Sequence, residues 1–285
     1  MDAENGAQLR SRLVKVLNVA QGYACGFDFG CGLVGLTVLD IHVGLIKKMR
    51  AILIGLMLAI IPSTGSAEVI REGPRECKAV ALTFDMCPVR EGSGYDELLV
   101  RTLTEKHIPA TFFLSGRWIA KHDAEVKALL AVPFFEVGTH GHVHAHLPEL
   151  DENQQRREIL EPVTVLRAKY GRTAPLFRPP YGEYNEATVH LVETLGLRFI
   201  LWNVVSGDPD SRLSEAEIVH AVKSRVRGGS IVVMHANGKG RHTREVVDDL
   251  YEDLIVRQGY QPVTISTLLN ECASPRGHDG RAPHH

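Results

Sequence analysis

The sequence predicts an α/β protein with a mostly parallel sheet, and three observations carry that expectation. From Lys78 onward, short runs rich in Val, Ile, Phe and Thr alternate with amphipathic stretches. The short runs are apolar throughout rather than at every second residue, as in strands covered on both faces. The stretches between them open on capping residues and close at glycines, as crossover helices do.

The strands read in order are 78–84 (KAVALTF), 110–115 (ATFFLS), 134–139 (FFEVGT), 176–179 (LFRP), 198–205 (RFILWNVV), 230–235 (SIVVMH) and 262–266 (PVTIS). Helical patterns span 96–107 and 117–130. A third, 151–170, has Asp151 and Gln154 at capping-box spacing and stops at Gly171. A fourth, 185–195, opens on Asn185 and stops at Gly196. A fifth, 214–227, carries Ser214 and Glu217 as another capping box and ends at Gly228–Gly229. The last, 243–258, closes at Gly259. The connections are short, and no internal repeat shows beyond the alternation itself.

The N-terminal part reads as something other than the fold. Lys47, Lys48 and Arg50 precede the apolar run 51–61, and PSTGSA follows, ending at Ala67. A basic start, a short apolar stretch and small residues before a cut form a secretory signal over 49–67. The run is too short for a comfortable membrane span, which takes about 20 residues. Residues 1–48 then read as an upstream extension of the reading frame, and 273–285 as a polar tail. Export implies a periplasmic or secreted protein with no stable membrane span after cleavage, in a compartment where disulfides persist. Cys77 and Cys272 bracket the folded region 77–272, which allows a bridge between them that sequence alone does not decide; Cys87 reads as a small buried hydrophobe. A net charge of −2 gives no sign of a nucleic-acid partner.

In parallel α/β folds, functional side chains gather at the C-terminal ends of strands. There the first strand delivers Asp85, the third THGHVHAH (139–146), the fourth RPPYG (178–182), the fifth Trp202 and then Asp208, and the sixth His235. His140 and His144 stand four apart, the spacing that lets two imidazoles on one helical turn grip one divalent metal. A catalytic metal of this kind takes a third protein ligand and an open position. Asp85 suits either that third ligand or a base acting on the attacking water. Arg178 is suited to pair with Asp85, and Asp208 to orient His235 as a general acid.

Together these motifs resemble the NodB-homology polysaccharide deacetylases, carbohydrate esterase family 4. They stand here as TFDM (83–86), HGHVH (140–144), RPPYG (178–182), GDP (207–209) and VMH (233–235), in the family's order across the mature domain. The resemblance implies an irregular, TIM-barrel-like (β/α)7 barrel forming a single catalytic domain. It implies Asp85 as base, His140 and His144 as metal ligands, Arg178 steering the base, Asp208 tuning the acid and His235 as the acid. Tyr181 matches an oxyanion-hole donor through its backbone N–H, with Pro180 and Trp202 beside it on the substrate side. The implied metal is zinc, with cobalt, manganese or nickel as alternatives.

Met86 stands where the family has its metal-binding Asp. A thioether is a poor zinc ligand beside two imidazoles, so the third ligand is open, with His142, Cys87 or a water as substitutes. Restoring the acid with Met86→Asp is expected to tighten metal binding. Gly141, Pro209 and Val233 are lesser departures. The expected activity is hydrolysis of N-acetyl groups on amino sugars of a polysaccharide, chitooligosaccharide or peptidoglycan by metal-assisted water attack. The alternatives are a glycan-binding module with an impaired site and an amidohydrolase for a small non-sugar amide.

Overall fold

The computed structural model describes residues 68–90 and 92–272. The signal at 49–67, the segment 1–48 and the tail 273–285 lie outside the described residues. In chain order the strands and helices are β1 (Val69–Ile70), β2 (Ala79–Met86), α1 (Glu97–Glu105), β3 (Ala110–Leu114), α2 (Gly116–Lys121), α3 (Asp123–Ala131), β4 (Phe135–Thr139), α4 (Glu152–Tyr170), β5 (Leu176–Phe177), α5 (Glu186–Thr194), β6 (Arg198–Ile200), β7 (Val204–Val205), α6 (Glu215–Lys223), β8 (Ser230–His235), α7 (Thr243–Leu250), β9 (Gln261–Pro262) and α8 (Ile265–Asn270). The sheet runs β1-β6-β5-β4-β3-β2-β8-β7, with β9 also on β2, and its ladders are parallel. It curls into an irregular barrel with helices around it, the expected fold class.

Strand β2 shows why a continuous apolar run is needed. Val80, Leu82, Phe84 and Met86 pack into the layer between sheet and helices, against Leu99, Leu103 and Trp118. Ala79 and Ala81 face the barrel interior with Phe113, Leu176, Ile200 and Ile231. Both faces are covered, so both must be apolar until the strand reaches the rim. Capping boxes at Asp151–Gln154, Asn185–Thr188 and Ser214–Glu217 start α4, α5 and α6. Each such cap contributes about 1 kcal/mol.

Four elements differ from the sequence reading. The strand expected over 198–205 is two: β6 pairs with β1 and β5, and β7 pairs with β8. The segment therefore reaches from one end of the sheet to the other, and its ladder breaks at Leu201–Asn203 where it changes neighbours. Across the break, Leu201 N–H donates to Ile70 O at 2.7 Å, and the Asn203 side chain accepts from Ile231 N–H at 2.8 Å. The strand expected over 262–266 is only β9; Thr264 then caps α8, its side chain accepting from Thr267 N–H. Ile265 and Leu268 of α8 close the lower end of the interior core.

The helix expected over 117–130 breaks at His122, whose ring bonds Trp118 O and Ser93 O, each at 2.8 Å. The last expected helix is α7 followed by a π turn, Tyr251–Arg257. A disulfide joins Cys77 to Cys272, their Cα atoms 5.7 Å apart, closing a sequence separation of 195. A loop of that length corresponds to about 5 kcal/mol on the chain-entropy account. Among the described residues no helix is long and apolar enough to cross a membrane.

Candidate active site

The upper rim of the barrel holds a cavity of about 270 Å³ lined by Asp85, Cys87, His140, His144, Tyr181, Trp202, Asp208 and His235, among others. A larger recess, about 420 Å³, lies between α4 and α5, away from these groups.

Asp85 is delivered by the inward face near the end of β2 and is buried. Arg178, on the chain leaving β5, is fully buried, and its Nη1 donates to Asp85 Oδ1 at 2.8 Å. Arg178 Nη2 donates to Leu201 O at 3.2 Å, and the guanidinium lies 3.9 Å over the Phe113 ring and 5.4 Å from that of Trp202. A cation so enclosed is tolerable only with its counter-charge beside it. Burial would raise the Asp85 carboxyl, but His140, Arg178 and His235 together hold it below the usual carboxylate range.

His235 ends β8. Its backbone N–H donates to Asp208 Oδ2 at 2.8 Å, and its Nδ1 lies 3.0 Å from Asp208 Oδ1. Asp208 is itself buried and also accepts from Ser206 Oγ at 2.8 Å and Thr243 Oγ1 at 2.9 Å. Nδ1 is therefore occupied, and Nε2 is left for the cavity. Burial opposes charge on His235, yet Asp208, Cys87 and Asp85 raise its pKa to about 10.

His140 and His144 do converge, their ring centroids 4.9 Å apart, but not from a helical turn. Residues 140–146 form a loop. It folds back through positive φ at Gly141 (68°) and His144 (68°). A side chain at Gly141 would put its Cβ 2.9 Å from Pro180 Cγ and 3.2 Å from Glu158 Oε2, so only glycine fits. Glu158, in α4, pins the loop: its carboxylate accepts from the N–H groups of His142 and Val143 at 3.0 Å. His140 Nδ1 meets Arg178 O at 3.0 Å, which turns Nε2 inward. This is the second contact that metal-ligating histidines ordinarily make.

Tyr181 is the other non-glycine residue of the rim with positive φ (59°), and its ring touches that of His144 at 4.4 Å. Left-handed backbone at non-glycine residues costs of order 1–3 kcal/mol and persists where surrounding structure enforces it. Here it occurs on both sides of one ring contact. Pro180 is buried beneath this turn, and Trp202 walls the cavity between the Gly182 turn and Arg178.

Three expectations change at the metal position. Met86 is fully buried in the core between sheet and helices and does not line the cavity. Strand alternation turns it away from Asp85, so an acid introduced there would enter an apolar core rather than reach a metal. His142 bonds Glu161 Oε2 through Nε2 at 3.0 Å and is not a substitute ligand. Cys87 is not a hydrophobic filler: it stands in the cavity, and its thiol is within hydrogen-bonding reach of His140, His144 and His235. Burial would raise its pKa, but the three imidazoles bring it down to about 4. Among the described residues, Cys87, His140 and His144 offer ligand atoms all within 4.8 Å of one another. One sulfur and two nitrogen donors at that spacing suit a four-coordinate divalent ion with one open position.

The residues not singled out from the sequence are Glu158, Ser206 and Thr243. Cys87 is one of three substitutes that the sequence leaves open for the third ligand, and its parity with Asp85 is the signal that favours it. Glu158, Ser206 and Thr243 have no local signature, since their partners are remote in the chain.

Comparison with known proteins bears on this rim. The sequence model described as polysaccharide deacetylase matches residues 72–200, which include Asp85, His140, His144 and Arg178; Asp208 and His235 lie beyond it. A peptidoglycan-N-acetylglucosamine deacetylase of Bacillus cereus is 28% identical over 200 residues, covering 70% of this chain and 91% of the relative. A chitooligosaccharide deacetylase of Rhizobium leguminosarum is 31% identical over 134 residues, covering 47% of this chain and 58% of the relative. A solved pseudoenzyme of the CE4 family from Bacillus anthracis superposes with a TM-score of 0.65 at 27% identity, covering 72% of this chain and 70% of that one. A mutant of that pseudoenzyme with restored enzymatic activity gives 0.65 at 28%, covering 72% of each chain.

Proposed function

The chain belongs to the polysaccharide deacetylases of carbohydrate esterase family 4, and from that premise we propose that it hydrolyses N-acetyl groups on the amino sugars of an exported glycan, either peptidoglycan or a chitooligosaccharide. The observation that carries the reading is the pair of charge relays facing one cavity: Arg178 on Asp85 and Asp208 on His235.

Each residue has a defined task. Asp85 is kept ionised by Arg178 and accepts a proton from the attacking water. His235, held through Nδ1 by Asp208, delivers a proton from Nε2 to the departing sugar nitrogen. The backbone N–H of Tyr181 donates to the oxyanion as it develops. Trp202 and Pro180 shape the wall against which the acetyl group rests. His140 and His144 would hold a divalent metal, zinc first, which when bound supplies Lewis acidity toward the acetyl carbonyl and the water. A glycan in the periplasm or outside the cell suits the signal-like segment 49–67 and the Cys77–Cys272 bridge.

A second reading has its own support: Met86 stands in place of the family's second acid, and one solved neighbour is a pseudoenzyme. That reading makes the protein a glycan-binding module with no turnover. Against it stands the complete set Asp85, Arg178, Asp208, His235, His140 and His144, since a site released from catalysis has no reason to keep both buried relays. Acetate release from chitin oligomers and from peptidoglycan, measured on the full chain with added zinc or cobalt, separates the two. Release that disappears in Asp85→Asn supports the deacetylase. Glycan binding without acetate under every metal defeats it.

A further inference from the structure

We propose that Cys87 is the third protein ligand of the metal, giving a Cys-His-His centre with His140 and His144 in place of the carboxylate centre that Met86 rules out. The proposal deepens the function above by naming the donor set of the same site, and so which metals that site takes.

The geometry points to it in four ways. Cys87 directly follows the last residue of β2 and stands two residues after Asp85; both side chains enter the same cavity, while Met86 between them enters the core. The sulfur and one nitrogen of each imidazole lie within 4.8 Å of one another. The Cys87 backbone is tied down: its carbonyl accepts from Asn237 Nδ2 at 2.9 Å, and the rigid Pro88 follows it. His140 is held by Arg178 O through the ring nitrogen away from the thiol. Cys77 and Cys272 are consumed in their bridge, and Cys87 is free and buried.

A thiol beside His235 and Asp208 also has the outline of a nucleophile. That role leaves His140 and His144 without a task, although their loop is built at the cost of a left-handed His144 and a buried Glu158 contact. The ligand role uses all three donors.

Binding requires the sulfur as thiolate and both imidazoles neutral, so whatever protons the three ligands hold go to solvent as the metal bonds form, and no electrons are transferred. A thiolate beside two imidazoles favours zinc or cobalt over manganese and magnesium, which prefer oxygen donors. Manganese therefore drops out of the ions expected from the family resemblance.

The test is cobalt titration of the metal-free full chain. The expected result is one bound cobalt per chain with a near-ultraviolet sulfur-to-cobalt charge-transfer band. Cys87→Ser should remove the band and weaken cobalt binding by at least about tenfold. Cys87→Asp should restore binding without the band, a rescue that a nucleophile would not permit. Cobalt bound without the band, or equal affinity in Cys87→Ser, overturns the proposal, as does an acyl group recovered on Cys87 after reaction with substrate. If the variants do not fold, the wild-type spectrum still decides, together with alkylation of Cys87: bound metal should block it, and unprotected labelling refutes the ligand role. The spectral, affinity and alkylation readouts need no substrate. A thiolate–cobalt spectrum without acetate release would retain this inference and defeat only the deacetylase reading; acetate release without the spectrum would do the reverse.

Discussion

Asp85 on β2 and His235 on β8 are register partners on neighbouring parallel strands. Neighbouring strands run about 4.8 Å apart, so the proposed base and acid stand side by side at one rim, placed to act on one bond. Their roles are then coupled. Asp85→Asn and His235→Ala should each lower kcat by about 10²–10⁴-fold. The double variant should be little worse than the poorer single, because residues acting as one unit are strongly non-additive. Initial rates of acetate release for the three variants check this; multiplicative losses would mean that the two act in separate steps.

Arg178 makes the acid side of the pH profile predictable. Asp85 works as a base only when ionised, and its pKa is held below the usual carboxylate range partly by Arg178 at 2.8 Å. The wild-type acid limb should therefore lie low. In Arg178→Gln that support is lost while burial remains, so the Asp85 pKa rises and the limb moves to higher pH. Activity at neutral pH should fall at least about tenfold, with partial recovery as pH increases. A kcat/KM profile from acid to neutral pH reads the shift. A uniform loss with an unmoved limb would give Arg178 a packing role only.

Much of this rim was legible because its residues break an expectation. A carboxylate after six apolar or small residues, an Arg before two prolines and four histidines in one loop are all costly unless they do something. The capping boxes of α4, α5 and α6 were legible because they are written within four residues. What stayed hidden depends on neighbours remote in sequence. Nothing local in 198–205 says that its first half pairs with β5 and its second with β8. Met86 drew attention because it adjoins Asp85 in sequence, but in a strand, adjacency means opposite faces. The same alternation, applied one residue further, points to Cys87.

Glu158 is a positioning residue for the histidine loop, and its role is separable from folding. Its carboxylate accepts from His142 and Val143 N–H, two bonds to a charged acceptor worth about 1.5–3 kcal/mol each. Glu158→Ala should weaken metal binding by about 10–100-fold, as loss of outer contacts does at other metal sites. Glu158→Gln keeps one acceptor oxygen and should fall between. Cobalt affinity compared with melting temperature checks this: a loss of stability with unchanged affinity would reduce Glu158 to a fold contact.

Met86→Asp is the substitution the family pattern invites, and the structure reverses the outcome expected from sequence. The side chain of residue 86 lies in the core with Phe84, Leu99 and Trp118 and has no exposure. A carboxylate there meets no metal and no cation. Leaving a buried charge uncompensated costs about 3–5 kcal/mol, or roughly 10 °C in melting temperature for a domain of this size. Metal affinity should not improve, because the new acid shares the wrong face of β2. Met86→Leu conserves volume and should cost less than about 1.5 kcal/mol with metal binding intact. Thermal melts and cobalt titrations of both variants decide the matter. A folded Met86→Asp protein with tighter cobalt binding would mean that the end of β2 turns to bring residue 86 to the metal, and that Cys87 is not the donor.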